Sequence, residues 1–266
     1  MSSKTEPTGI ADASRPNAGR IYDYFLGGNH NFEIDRQVAD QMTKFVPFLP
    51  QISRLIRWFL GETTRRLAGE GYDKFLDFAS GLPTVDHIHE VTPKGTKVLY
   101  SDIDPVTVAY AQEILKGLSD VRYVQCDAGK PEDLLDSGLV EELFGKDRKV
   151  AVGLNGIAYF IPDEAVEHNL KTLYGWADKG SKLIISDVDL NKNTKELQAI
   201  IELYKQAGQG CYPRTQEKLF EMAEPWKADD PGPMILEEWI GLERNIEDQS
   251  KEVFGIGFYG VILRKD

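Results

Sequence analysis

Two short apolar runs, each ending in a carboxylate and spaced by one strand-and-helix length, constrain this chain more than any other feature. The first, KFLDFASGLP at Lys74–Pro83, runs into Asp77 and then into small residues, Gly81 and Pro83. It reads as a buried parallel strand that breaks into a tight loop at its carboxyl end. The second, KVLYSDIDP at Lys97–Pro105, reads as the next strand, with Asp102 and Asp104 at its end. Asp77 and Asp102 stand 25 residues apart, the length of one strand–helix–strand unit. A small-residue loop after one strand and a carboxylate after the next can hold a nucleoside. Backbone approaches the ligand at the loop, and the acid takes both ribose hydroxyls. Asp77, Ala79, Ser80, Gly81, Asp102 and Ile103 are therefore the first candidates for a cofactor site.

Further strands are expected at 121–125, 150–155 and 182–187, with helices at 85–91, 105–116, 131–144 and 163–177. This alternation predicts a parallel sheet covered by helices on both faces, and right-handed crossovers make it doubly wound. Helices are expected again at 194–207 and 215–223. Two last strands, at 234–240 and 254–264, are joined by too little chain for a crossover and are expected to pair antiparallel. Residues 1–13 are polar and small and read as a loose tail. Residues 14–68 are helical in pattern, with Gln51–Ala68 presenting Ile52, Leu55, Ile56, Phe59, Leu60 and Leu67 on one face. The expected architecture is α/β: a Rossmann-like, mostly parallel sheet in one domain over 14–266. In it 14–68 form a helical cover and 72–266 the α/β core.

The charge balance excludes some partners. A formal net charge of −12 disfavours nucleic acid or an anionic membrane, either of which needs a concentrated basic face. The one basic cluster, Arg54, Arg57, Arg65 and Arg66, reads as the solvated side of a helix. Cys126 and Cys211 give neither a disulfide framework nor metal spacing, so no metal is expected and a reducing cytoplasm fits best. The N-terminus lacks the apolar core of a signal peptide, and no apolar run approaches the ~20 residues that cross a bilayer.

The ligand loop discriminates among nucleotides. It has one glycine where a dinucleotide fold has three, and no Walker GK[ST] ending. Pyrophosphate and triphosphate binding are disfavoured, since both need several backbone N–H groups aimed at oxygens. A nucleoside without phosphates fits better. Asp127, a further 25 residues on, can accept an adenine amine while Ala128 leaves room for the ring. The competing reading of Asp77, Asp102 and Asp127 is that each merely caps a following helix. Three in one register resemble the class I S-adenosylmethionine methyltransferases.

A second region is more specific. RPNAGRIYDYFLGGNHNFEIDR at Arg15–Arg36, FLDFASGLPTVDHIHEV at Phe75–Val91 and YFIPDE at Tyr159–Glu164 together resemble the actinomycete-rich S-adenosylmethionine-dependent methyltransferase family long catalogued as a domain of unknown function. The matching positions include Arg15, Pro16, Arg20, Tyr22, Asp23, Tyr24, Gly27, Gly28, Asn31, Phe32, Asp35 and Arg36. They continue through Asp77, Ser80–Thr84, His89, Glu90, Asp102, Asp104 and Pro105. Two positions depart from the family pattern: Ala79 replaces the usual Gly, and Tyr159 stands where a His often precedes F-[IV]-PD. The resemblance implies S-adenosyl-L-methionine as cofactor, a helical cover over it, and a small natural-product scaffold as acceptor.

Methyl transfer from a sulfonium is an in-line displacement that needs positioning, exclusion of water and, for some acceptors, a base. Candidates for that chemistry are Tyr22, Asp23, Tyr24, His30 and Asp35, with Asn31 in the polar loop after the Gly27-Gly28 turn. An aromatic core stripe is the competing reading for the tyrosines. His89 with Glu90 is expected to set the glycine loop. Asn155 and Gly156 end the fourth strand, where cofactor and acceptor would meet, and Tyr159 and Phe160 are expected to form an aromatic wall. Asp187 and Asp189 end the fifth strand, either at the acceptor pocket or simply in solvent. The stretch 206–233 reads as a lid suited to an apolar or aromatic small molecule. Two other readings stay open on the residues alone: a non-catalytic S-adenosylmethionine-binding protein, and a nicotinamide-dependent oxidoreductase. Acceptor, attacked atom and oligomeric state have no signature in the sequence.

Overall fold

The computed structural model of the chain describes residues 16–84, 86–206 and 208–266. The expected tail at 1–13 and the motif residue Arg15 lie outside the described residues. Three helices come first: α1 (Ala18–Phe25), α2 (Glu33–Phe45) and α3 (Leu49–Gly69). The alternating core follows as β1 (Lys74–Asp77), α4 (Ile88–Val91), β2 (Lys97–Asp102), α5 (Pro105–Ile114) and β3 (Val121–Gln125). Next come α6 (Glu132–Leu135), α7 (Leu139–Phe144), β4 (Ala151–Asn155), α8 (Asp163–Trp176) and β5 (Lys182–Leu190). The chain ends with α9 (Lys195–Gln206), α10 (Gln216–Ala223), β6 (Lys227–Ala228), β7 (Met234–Ile235), α11 (Leu236–Trp239), α12 (Ile246–Val253) and β8 (Ile256–Arg264).

The sheet runs β3-β2-β1-β4-β5-β8-β6, with β7 also on β8. The first five strands in that order are parallel. β8 lies antiparallel to β5 over nine residue pairs, Lys182 opposite Arg264 through Leu190 opposite Ile256. This is the expected mostly parallel sheet with an antiparallel end. Alternate residues of each strand feed two layers. Phe75, Val98, Ala151, Ile184 and Ile262 pack with α3 and α5. Leu76, Leu99, Val152, Leu183 and Leu263 pack with α6, α7, α8 and α10. The period of two in the strands thus meets helices on both faces.

Three expectations shift. The helix expected at 131–144 is two, broken at Ser137-Gly138. The strand expected at 234–240 keeps only Met234-Ile235 before turning into α11. Buried Glu237 on that helix accepts the backbone N–H groups of Asn245, Ile246 and Glu247. This anchors the turn into α12, a helix the sequence reading does not contain. Finally β6 and β7 both pair with β8, so the antiparallel end has more members than one pair.

Candidate active site

The site begins where β1 ends. Asp77 is buried, and its Oδ1 has no hydrogen-bond partner among the described residues. It points at β4, where a Cβ on Gly153 would stand 2.1 Å from that oxygen, so only glycine leaves the carboxylate its place. Burial pushes the Asp77 carboxyl up to about 6, opposed by the Ser80 hydroxyl and by the Arg57 charge.

The loop after β1 is pinned from several sides. Ala79 sits at φ 52°, in the left-handed region, which accounts for glycine as the usual residue in the family pattern. The Ser80 hydroxyl donates to Asp77 O, and Ser80 N donates to Ser101 O. Tyr123 Oη donates to Gly81 O at 2.6 Å. His87 accepts from Ile88 N through Nδ1, which leaves Nε2 as the donor to Ser80 O at 3.2 Å. His87, rather than His89, therefore holds the loop. His89 bonds the buried Tyr100 hydroxyl through both its backbone N and Nδ1.

Asp102 ends β2 with Oδ2 accepting Gly81 N and Oδ1 accepting Asp104 N. It is only partly buried, and each oxygen keeps a lone pair for a further donor. Burial raises its carboxyl to about 6. Ile103 beside it is 59% exposed, an apolar side chain held at the cavity mouth. One strand farther out, Asp127 Oδ1 holds Gly129 N and Ala128 O accepts from Asn169. These two residues stand at the β3 end and do not line the cavity.

The cavity has a volume of about 230 Å³ and crosses the strand ends from β2 to β8. Asn155 spans its middle. Its Nδ2 donates to Ile56 O on α3 and its Oδ1 accepts from Ser186. Gly156 follows at φ 68°, and a Cβ there would meet Ile56 at 2.9 Å.

The helical segment closes the cavity through Asn17, Gly19, Ile21, Tyr22 and Phe25. Tyr22 Oη donates to Ser53 O at 3.0 Å, and desolvation raises its pKa. It is placed as a wall and donor. Tyr24 turns away, with its hydroxyl on Asp40 at 3.2 Å, and does not line the cavity. His30 donates its backbone N to Asp23, and Asn31 is spent on Asp23, Gly28 and Arg36. Both lie outside the lining. The N-terminal motif is thus largely an internal lock. Buried Asp35 accepts Asn17 N, Arg20 Nε and Phe32 N, while buried Asp23 fastens the loop after Gly27.

The sequence reading missed Arg57. Far from solvated, it is buried at 4% exposure, and its Nε and Nη1 have no hydrogen-bond partner among the described residues. Its guanidinium lies 5.6 Å over the Tyr22 ring and borders the same cavity as Asp77. A signal was present: Ser53, Arg57, Gly61 and Thr64 form a second, small-residue stripe on α3, and all are buried. Asp187 pairs with Arg214, and Asp189 accepts from Gln216 and Asn191. Neither lines the cavity. Among the described residues no three His, Cys, Asp or Glu side chains come together to hold a metal ion.

Residues 3–266 match the model of a family described as S-adenosyl methyltransferase. The chain belongs to that family. Two solved structures are similar over almost the whole methyltransferase. A candidate methyltransferase from Thermobifida fusca is 26% identical, with TM-score 0.86, over 98% of this chain and 99% of that one. A DUF574 family protein from Streptomyces avermitilis is 27% identical, with TM-score 0.84, over 97% of this chain and 100% of that one. A geranyl diphosphate C-methyltransferase from Streptomyces coelicolor, at 12% identity and TM-score 0.55 over 91% of this chain and 84% of that one, shares the fold. No curated protein matches the sequence. The enzyme is an S-adenosylmethionine-dependent methyltransferase.

The residues fit that cofactor. An amino acid brings one ammonium and one carboxylate, and the cavity offers one buried carboxylate oxygen and two buried guanidinium nitrogens without partners among the described residues. Orphaned buried polar groups of both signs cost stability and persist where a ligand meets them.

Proposed function

We propose that the protein transfers a methyl group to a small-molecule acceptor, of natural-product type, in the part of the cavity beyond Asn155. The observation that supports this best is the division of one continuous cavity. Its β1–β2 end is charged and its β5–β8 end is apolar, lined by Val188, Ile200 and Phe258. S-adenosylmethionine, when bound, supplies an electrophilic methyl on a sulfonium. Arg57 would take the carboxylate of its amino-acid part and Asp77 the ammonium. Asp102 would accept both ribose hydroxyls and Ile103 would cover the adenine, whose amine would have to reach past the cavity lining to meet Asp127 at the β3 end. Tyr22, Asn155 and Gly156 would border the cofactor's middle, with Tyr159 walling the acceptor side. Closure by α1 and α3 excludes water, and an ordered pair of reactants removes much of the entropic barrier.

The test is release of S-adenosylhomocysteine when the protein is incubated with cofactor and a library of fused-ring and alkaloid scaffolds. Turnover with at least one small acceptor, lost in Asp102→Ala, is the expected result. Cofactor binding without turnover across the whole library would favour the non-catalytic reading.

A further inference from the structure

The far half of the cavity restricts the acceptor. Strand order places β2 and β8 four sheet positions apart, or about 19 Å at the usual strand spacing. Cofactor and acceptor ends are therefore well separated. Every charged side chain among the described residues lining the cavity, namely Arg57, Asp77, Asp102 and Asp104, belongs to the cofactor end or to α3 beside it. The far end takes Leu197, Ile200 and Tyr204 from α9 and Phe160 from the turn after β4. Its polar groups are the neutral side chains of Tyr159, Tyr204, Gln209 and Cys211. Burial raises the Tyr159 phenol and pushes the Cys211 thiol up to about 12, so this end stays uncharged at physiological pH. Tyr159, Phe160 and Tyr204 pack in sequence, tilted and then edge-to-face, with ring centroids 4.5 and 5.0 Å apart.

We propose that the acceptor is an uncharged, largely apolar ring compound seated among Phe160, Leu197, Ile200 and Tyr204, and that anionic acceptors such as diphosphates and carboxylates are rejected. An anion in this half would lose its hydration and gain no cation, which costs far more than an apolar contact returns. This rests on reading the β1–β2 end as the cofactor site. On transfer, the acceptor's electron pair forms the bond to the methyl carbon while the sulfur–carbon bond breaks with its pair left on sulfur. Positive charge passes to the acceptor beside these aromatic rings, which can stabilise it, and any proton then shed reaches bulk solvent as the product leaves.

Two fluorescent probes that differ by one sulfonate decide the matter. Both N-phenyl-1-naphthylamine and 8-anilinonaphthalene-1-sulfonate are titrated into protein saturated with S-adenosylhomocysteine, whose own binding is measured first by calorimetry. The neutral probe is expected to bind at least about tenfold more tightly. Ile200→Trp should abolish its binding and leave that of S-adenosylhomocysteine intact; Leu197→Phe serves if the first variant fails to fold. Equal or tighter binding of the sulfonate, or a neutral probe indifferent to both cavity-filling variants, would overturn the acceptor assignment while the cofactor site stands. Failure of S-adenosylhomocysteine to bind would overturn both.

Discussion

Arg57 holds two guanidinium nitrogens in the interior without acceptors among the described residues, an arrangement that costs about 1–3 kcal/mol in the free protein. Arg57→Met is therefore expected to leave unliganded stability unchanged or higher. The same variant should weaken S-adenosylhomocysteine binding by about 1.5–3 kcal/mol, the worth of hydrogen bonds to a charged group. Thermal melts with calorimetry check the pair of effects, and a parallel loss of both would make Arg57 purely structural. Acidification should also separate stability from binding. Asp77 and Asp102 are both raised to about 6, so the unliganded folded state holds protons that the unfolded chain has released. Their contribution to unliganded stability is thus fully present below about pH 4 and is lost as pH rises through 6. Cofactor binding needs both groups ionised and runs the other way. Affinity should be flat above pH 7 and fall about tenfold per group by pH 5. Titration calorimetry from pH 5 to 8 reads this, and Asp77→Asn should remove one proton's share of the slope. Ala79 at φ 52° carries left-handed strain of about 1 kcal/mol. Ala79→Gly should raise the melting temperature slightly, despite the added freedom of the unfolded chain.

Among the elements, α1 is the piece whose sequence was most recognisable and whose role was hardest to read. The polar residues of the motif it opens looked like ligand contacts, yet Tyr24 on α1 bonds Asp40, Asn31 in the following loop bonds Asp23, and Asp35 on α2 accepts from Arg20. A sequence motif reports that residue types are required; it does not report whether the partner is a ligand or the chain itself. Asp35→Ala should cost about 1.5–3 kcal/mol or more by removing the buried acceptor of Asn17 N, Arg20 Nε and Phe32 N, measured by urea unfolding. Because α1 lines the cavity on one side, cofactor binding should increase hydrogen-exchange protection over Ile21–Phe32. Exchange indifferent to S-adenosylhomocysteine would reduce α1 to a packing layer. The α3 helix was legible through Ile52, Leu55, Ile56, Phe59, Leu60 and Leu67, all buried. Arg57 was not, because a charge on a helix reads as solvated unless its whole stripe is seen to be buried. The end of the chain was obscure for a different reason. Glu237 works as a buried acceptor for backbone eight to ten residues away, a tertiary device with no local pattern.

At the scale of the whole molecule, the parallel core was the most legible part, since runs such as KFLD and KVLYSD alternate between two layers and end on their acids. The cavity was legible only at that end. Its apolar half is assembled from α3, α9, β5 and β8, elements far apart in sequence that meet only through strand order. The central claim is that this single cavity holds S-adenosylmethionine by its charged end. The most direct measurement is a crystal structure of the protein with S-adenosylhomocysteine. The account predicts the ligand carboxylate on Arg57, its ammonium on Asp77, the ribose on Asp102, and the sulfur turned toward the apolar half. A ligand bound elsewhere, or bound here with Arg57 and Asp77 still unpartnered, would contradict it.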